Sequence, residues 1–148
     1  MREDRLVSSS AEIDDESVPV RARTVRVVLV DDQASFRSAA RLVIDMVDGF
    51  ELVGEAETAE EGMELVSTLV PELVLMDINL PGIDGLEATR RLVEEHDSLC
   101  VVVLSTYEAS EYGSRSLQAG AAAFVSKEDF GPHTLASVWA GLSRRPEP

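Results

Sequence analysis

Three carboxylates, a pair of hydroxyls and one lysine stand just beyond short apolar runs in this sequence. Asp31-Asp32 follow Val25–Val30, Asp77 follows Leu73–Met76, Ser105-Thr106 follow Cys100–Leu104, and Lys127 follows Ala122–Ser126. Carboxylates gathered in one crevice repel one another, and a hard divalent cation with oxygen ligands offsets that repulsion. Mg²⁺ suits the set best, with Asp32 and Asp77 as direct ligands and Asp31 through water; Ca²⁺ would ask for a dedicated loop of many oxygens. A carboxylate also attacks phosphorus to give an acyl phosphate, with metal and lysine neutralising the transferring group. Ser105 would then donate a hydrogen bond to one phosphoryl oxygen, and Lys127 would pair with another as a point charge. The chemistry implied is phosphoryl transfer onto Asp77.

Taken singly, these residues have plainer explanations. Asp31 or Asp32 alone reads as a turn or helix-cap residue, and a lone lysine as surface. Asp77 directly after Leu-Val-Leu-Met is harder to dismiss, because a carboxylate at the end of a buried strand loses hydration unless a cation compensates. What weighs most is convergence, so the elements that carry these residues decide the matter.

The five apolar runs Val25–Val30, Phe50–Ala56, Leu73–Met76, Cys100–Leu104 and Ala122–Ser126 are mostly continuous and rich in Val and Leu, as strands covered on both faces are. Amphipathic stretches separate them. Phe36, Ala40, Val43 and Val47 share a helical face, as do Ala59, Met63, Val66 and Val70 before Pro71. Leu86, Leu92 and Val93 mark a third helix over Gly85–Glu95. A fourth, near Glu108–Ala119, shows only Tyr112 and Leu117 as its apolar face, and a fifth, Pro132–Leu142, aligns Leu135, Val138, Trp139 and Leu142. Strand and helix alternate five times, which predicts an α/β domain with a parallel sheet between two helix layers and right-handed crossovers. In such a sheet ligands bind beyond the carboxyl ends of the strands, where all the candidate residues fall.

At 148 residues the chain suffices for one domain with a proper core. The domain is expected over residues 24–143, with residues 1–23 as a disordered tail and 144–148 as a short C-terminal tail. Thirteen basic against 28 acidic side chains leave a net charge of −15, which disfavours direct binding to nucleic acid. The single cysteine, Cys100, makes no intrachain disulfide and reads as a buried, inert thiol. Met1 to Arg23 reads as neither signal peptide nor membrane span, and together these features point to a cytoplasmic protein. His96 and His133 fall at helix ends and are expected to be exposed.

The motifs Asp31-Asp32, Asp77-Ile-Asn-Leu-Pro-Gly-Ile-Asp-Gly85, Leu104-Ser105-Thr106 and Gly120-Ala-Ala-Ala-Phe-Val-Ser-Lys127 closely resemble the receiver domains of two-component response regulators. The likeness spans roughly Val25 to Leu142. It implies a flavodoxin-like (βα)5 fold with strand order 2-1-3-4-5, and a phosphorylation-dependent switch rather than a conventional enzyme. On this resemblance Asp77 is the phosphoacceptor and Asp31 and Asp32 are the metal-binding acidic pair. Asn79 completes the Mg²⁺ shell through its backbone carbonyl. Ser105 matches the switch hydroxyl, Phe124 the switch aromatic, and Lys127 the family lysine. Thr106 is the alternative hydroxyl, but counting back from Lys127 favours its neighbour. Phosphorylation would draw Ser105 toward the phosphoryl group and let Phe124 turn, changing the surface of the fourth helix, fifth strand and fifth helix.

The implied partners are a sensor histidine kinase and a downstream protein target or effector domain, with a phosphorylation-dependent homodimer left open. Two features depart from the family pattern: Glu128 and Asp129 follow Lys127 where many receivers carry proline, and Phe124 lacks a tyrosine hydroxyl. Asp48 to Glu57 looks most like receivers joined to LuxR-type helix-turn-helix domains, so a fragment of such a DNA-binding transcriptional regulator is one alternative. A receiver acting as a phosphorylation-independent binding module is another. A flavodoxin-like carrier fits poorly, because two aspartates in the first loop would repel a flavin phosphate. A phosphatase of the haloacid-dehalogenase type needs a second aspartate where Asn79 stands. Tyr107 is a candidate shield of the acyl phosphate against water.

Overall fold

The computed structural model describes residues 24–106 and 109–143. The two expected tails and Tyr107 lie outside these residues. In chain order the elements are β1 (Val25–Val30), α1 (Ala34–Met46), β2 (Phe50–Ala56), α2 (Ala59–Leu69), β3 (Leu73–Asp77), α3 (Gly85–Glu95), β4 (Cys100–Ser105), α4 (Ala109–Gln118), β5 (Ala123–Ser126) and α5 (Pro132–Ser143). A short 3-10 turn, Lys127–Asp129, joins β5 to α5. The five strands form one parallel sheet ordered β2-β1-β3-β4-β5, the doubly wound arrangement expected from the sequence.

The continuous apolar runs feed two cores because side chains alternate across a strand. Val28, Val30, Val74, Met76, Val101 and Val103 face one way and meet Ala59 and Val66 of α2 and Ala88 and Leu92 of α3. Val27, Leu29, Leu73, Leu75, Val102 and Leu104 face the other way and meet Ala40 and Ile44 of α1 and Leu135 of α5. Trp139 packs with this second core, edge-on to Phe50 at 6.2 Å. Cys100 is half-buried rather than buried, since it opens β4 at the amino edge of the sheet.

Several helix assignments change in detail. On α1 the deepest side chains are Ala40 and Ile44, with Phe36, Val43 and Val47 flanking them. Val70 was expected on the buried face of α2, but it is 68% exposed. The helix stops at Leu69 because Pro71 follows, and Val70 takes a left-handed cap conformation at φ +50°. Arg26 fastens this end by donating from Nη1 to the carbonyls of Leu69 and Val70. On α4, Leu117 is 56% exposed and the inward face is formed by half-buried Tyr112 and buried Ser116, whose hydroxyl donates to the Tyr112 carbonyl. His133 is exposed as expected, whereas His96 is half-buried where it caps α3.

Two strands reach one residue further than their apolar runs, and this matters for the site. β3 includes Asp77, paired with Leu104, and β4 includes Ser105, paired with Ser126. Backbone ladders rather than flexible loops therefore hold these polar residues.

Gly85 opens α3 directly against the end of β3. Its N–H donates to the Ile78 carbonyl at 3.1 Å, and a Cβ there would lie 2.0 Å from the Asp77 carbonyl oxygen. Gly85→Ala should cost about 3 kcal/mol or more, because backbone has to move to admit the methyl; urea denaturation checks this. Val70→Asn should raise stability by about 1 kcal/mol, since a β-branched residue is strained in the left-handed region and asparagine tolerates it. The expected result is a higher urea midpoint with an unchanged slope.

Candidate functional site

The register of the sheet sets the site. Val30 pairs with Met76, so Asp31 leaves β1 level with Asp77; Asp77 pairs with Leu104, and Ser105 with Ser126, so Ser105 and Lys127 arrive at the same edge. Carboxylate oxygens of Asp31, Asp32 and Asp77 all lie within 4.8 Å of one another. Asp31 and Asp77 are buried at 0% and 3% exposure, while Asp32 is exposed. The edge thus presents one carboxylate to water and hides two beneath it.

Lys127 closes the floor. Its Nζ lies 2.7 Å from Asp31 Oδ2 and 3.5 Å from Asp77 Oδ2, and donates to Gln33 Oε1 at 3.1 Å. Backbone donors take the other oxygens: the Gln33 N–H bonds Asp31 Oδ1 at 2.8 Å, and the Asn79 N–H bonds Asp77 Oδ1 at 3.2 Å. Arg37, from the first turn of α1, donates to the Asp31 carbonyl at 2.7 Å and pairs with Glu55 and Glu57. The Asp31 backbone is therefore fixed from α1 as well as from β2, where its N–H bonds the Ala56 carbonyl at 3.0 Å.

Two buried carboxylates share one ammonium, and the imbalance shows on Asp77. Burial, and then the charge of Asp31, push its carboxyl up to about 6, against the opposing pull of Lys127 and the Asn79 N–H. Asp31 Oδ2 is buried with no hydrogen-bond partner among the described residues, although Lys127 sits against it as an ion pair. An oxygen with unfilled acceptor capacity, beside two further carboxylates, suits a hard divalent cation with water in its shell. The donor set accordingly fits Mg²⁺.

The predicted residues occupy the expected edge. Ser105 is buried at the end of β4, whereas its neighbour Thr106 is exposed, which separates the two hydroxyl candidates by position. Asn79 is exposed just beyond Asp77. Phe124 is half-buried on β5 against the core beneath α2, α3 and α4. Sequence reasoning missed Gln33, Arg37 and the part Phe36 plays, since Lys127 Nζ also lies over the Phe36 ring at 4.7 Å. Gln33 and Lys127 are 94 positions apart and share no local pattern. In the sequence Phe36 shows only as part of a helix face.

Such a sheet, with an acidic pair, a strand-end aspartate and a lysine at its carboxyl edge, defines the receiver class of α/β domain. The family of the response regulator receiver domain matches residues 27–138, and the chain belongs to that family. It is 40% identical to the response regulator GacA of Pseudomonas viridiflava over 103 residues, which cover 70% of this chain and 48% of that protein. It is 35% identical to the transcriptional regulatory protein DegU of Brevibacillus brevis over 109 residues, 74% of this chain and 46% of that one. The chain thus spans about half the length of these curated relatives. Among solved structures, a LuxR-family two-component response regulator from Aurantimonas sp. SI85-9A1 aligns with a TM-score of 0.75 at 32% identity, covering 82% of this chain and 87% of that one. The signal receiver domain of the response regulator NarL from Mycobacterium tuberculosis gives 0.76 at 26% identity, covering 83% and 99%. No helix of the described residues is long and apolar enough to cross a membrane.

The raised Asp77 carboxyl makes metal-free stability depend on pH. Its folded-state value, about 6, lies above the ordinary 3.8, so the stability it contributes is present below about pH 4 and is lost as pH rises through 6. Asp77→Asn removes that loss. Without Mg²⁺, its stability advantage over wild type should grow between pH 4 and 7 by on the order of 1–2 kcal/mol, after discounting for solvent screening beside exposed Asp32. Denaturation midpoints across that range measure it, and an advantage independent of pH contradicts the assignment.

Proposed function

We propose that this receiver domain accepts a phosphoryl group onto Asp77 from a sensor histidine kinase, in a Mg²⁺-dependent reaction, and signals by changing its α4–β5–α5 surface. The observation that carries this reading is the placement of Lys127 Nζ 2.7 Å from Asp31 Oδ2 and 3.5 Å from Asp77 Oδ2, in a cluster of three carboxylates whose oxygens lie within 4.8 Å of one another. That is an edge, assembled from the ends of β1, β3 and β5, where a bound cation would balance the carboxylates and leave the lysine for a phosphoryl oxygen.

In the proposed reaction an Asp77 oxygen attacks phosphorus as the bond to the donor imidazole nitrogen breaks, and the electron pair of that bond returns to the imidazole. Asp32, Asp77 and the Asn79 carbonyl, with Asp31 behind them, would hold Mg²⁺, which would supply charge neutralisation for the transferring group. Lys127 leaves its carboxylate partners for a phosphoryl oxygen and holds it as a point charge. Ser105, buried at the end of β4, donates to a further oxygen, a role its exposed neighbour Thr106 fills less well. The move of Ser105 opens space beside β5 into which Phe124 turns, and the domain assists its own dephosphorylation by the same groups. Phosphorylation shifts populations between the two surfaces.

The greater length of the relatives favours a second reading of the output: the domain serves as the receiver portion of a LuxR-type DNA-binding regulator. In both readings Asp77 carries the signal. Incubation with acetyl phosphate and Mg²⁺ should add a single HPO₃ by intact mass, lost in Asp77→Ala and on chelation of the metal. A wild-type protein that gains no mass under these conditions is a phosphorylation-independent binding module instead.

A further inference from the structure

We propose that Phe36, in the first turn of α1, is a positioning residue for Lys127, its ring holding the ammonium where it reaches both Asp31 and Asp77. This inference rests on the phosphoacceptor reading above. The Lys127 side chain is only 7% exposed, and its Nζ lies 4.7 Å from the centre of the Phe36 ring, well inside the range of cation–π attraction. Beside two buried carboxylates that attraction is poorly screened by water.

The ring has a property that the other neighbours of Nζ lack. Asp31, Gln33 and Asp77 offer acceptors that direct the N–H groups, at 2.7, 3.1 and 3.5 Å. Phe36 attracts the charge without claiming a proton, so it keeps Nζ at the site while leaving its donors free to turn from a carboxylate to a phosphoryl oxygen. The same ring also grips the backbone that carries the lysine. It packs against Phe130 at 6.1 Å, and Phe130 follows the 3-10 turn that Lys127 opens. At its two ends the turn is capped by bonds from the Glu128 N–H to Ser126 Oγ and from the Phe130 N–H to the Lys127 carbonyl, each at 3.3 Å. Phe36 thus touches the lysine head and the far end of its turn. A plain core role, the simpler alternative, would be served as well by leucine.

The test compares wild type, Phe36→Leu and Phe36→Tyr for the rate of phosphorylation by acetyl phosphate at saturating Mg²⁺, well below each melting temperature. Phe36→Leu should react roughly 3- to 10-fold more slowly, the factor that follows from losing one cation–π contact. Phe36→Tyr should restore the rate, and Mg²⁺ affinity, read from its effect on the melting temperature, should stay level across the three. A second measurement needs no variant: ring current from Phe36 should shift the Lys127 ε-methylene protons upfield in the wild-type NMR spectrum. A leucine variant as fast as wild type, a tyrosine variant as slow as leucine, or unshifted ε-methylene protons would each overturn the inference. A wild type that takes up no phosphoryl group sinks the phosphoacceptor reading instead, while the ring-current shift still decides the geometry.

Discussion

Two buried carboxylates compete for one ammonium, and the rest of the molecule is arranged around that mismatch. Asp31 and Asp77 emerge side by side from adjacent central strands, where the sheet shields them from water and neither can move away. Lys127 satisfies one more closely than the other, at 2.7 against 3.5 Å. Burying like charges this way costs stability, and a fold selected for stability alone would replace one with an apolar residue. In the function proposed above, the mismatch would be relieved from outside, by a cation that balances the carboxylates and then an anion that takes up the lysine.

Much of this could be read from the residues. The Val- and Leu-rich runs announced a sheet covered on both faces, and their alternation between two cores follows from strand geometry alone. Asp77 stood out because a carboxylate directly after Leu-Val-Leu-Met has no cheap place to go. Motif order then joined the acidic pair, Ser105 and Lys127 to it, and the register shows how they reach one edge.

The rest was hidden for identifiable reasons. Gln33 and Lys127 meet only because the first and last strand ends fold to one place, a contact no local window contains. Phe36 and Arg37 sit on a helix whose periodicity advertises packing, and periodicity is silent about what lies across the gap. Val70 and Leu117 fit an apolar pattern but turned outward, the first because a proline forces the chain into a left-handed cap, the second because Tyr112 and Ser116 fill the inward face of α4. Hydrophobic spacing marks a stripe on a helix; it does not mark where the stripe stops.

The contact of Gly85 with the Asp77 carbonyl carries a mechanical consequence. With no side chain between them, the head of α3 is seated on the backbone of the strand that bears the acidic centre. The start of α3 thus takes its position from the same stretch of backbone that sets the Asp77 carboxylate, and any side chain at position 85 would displace both.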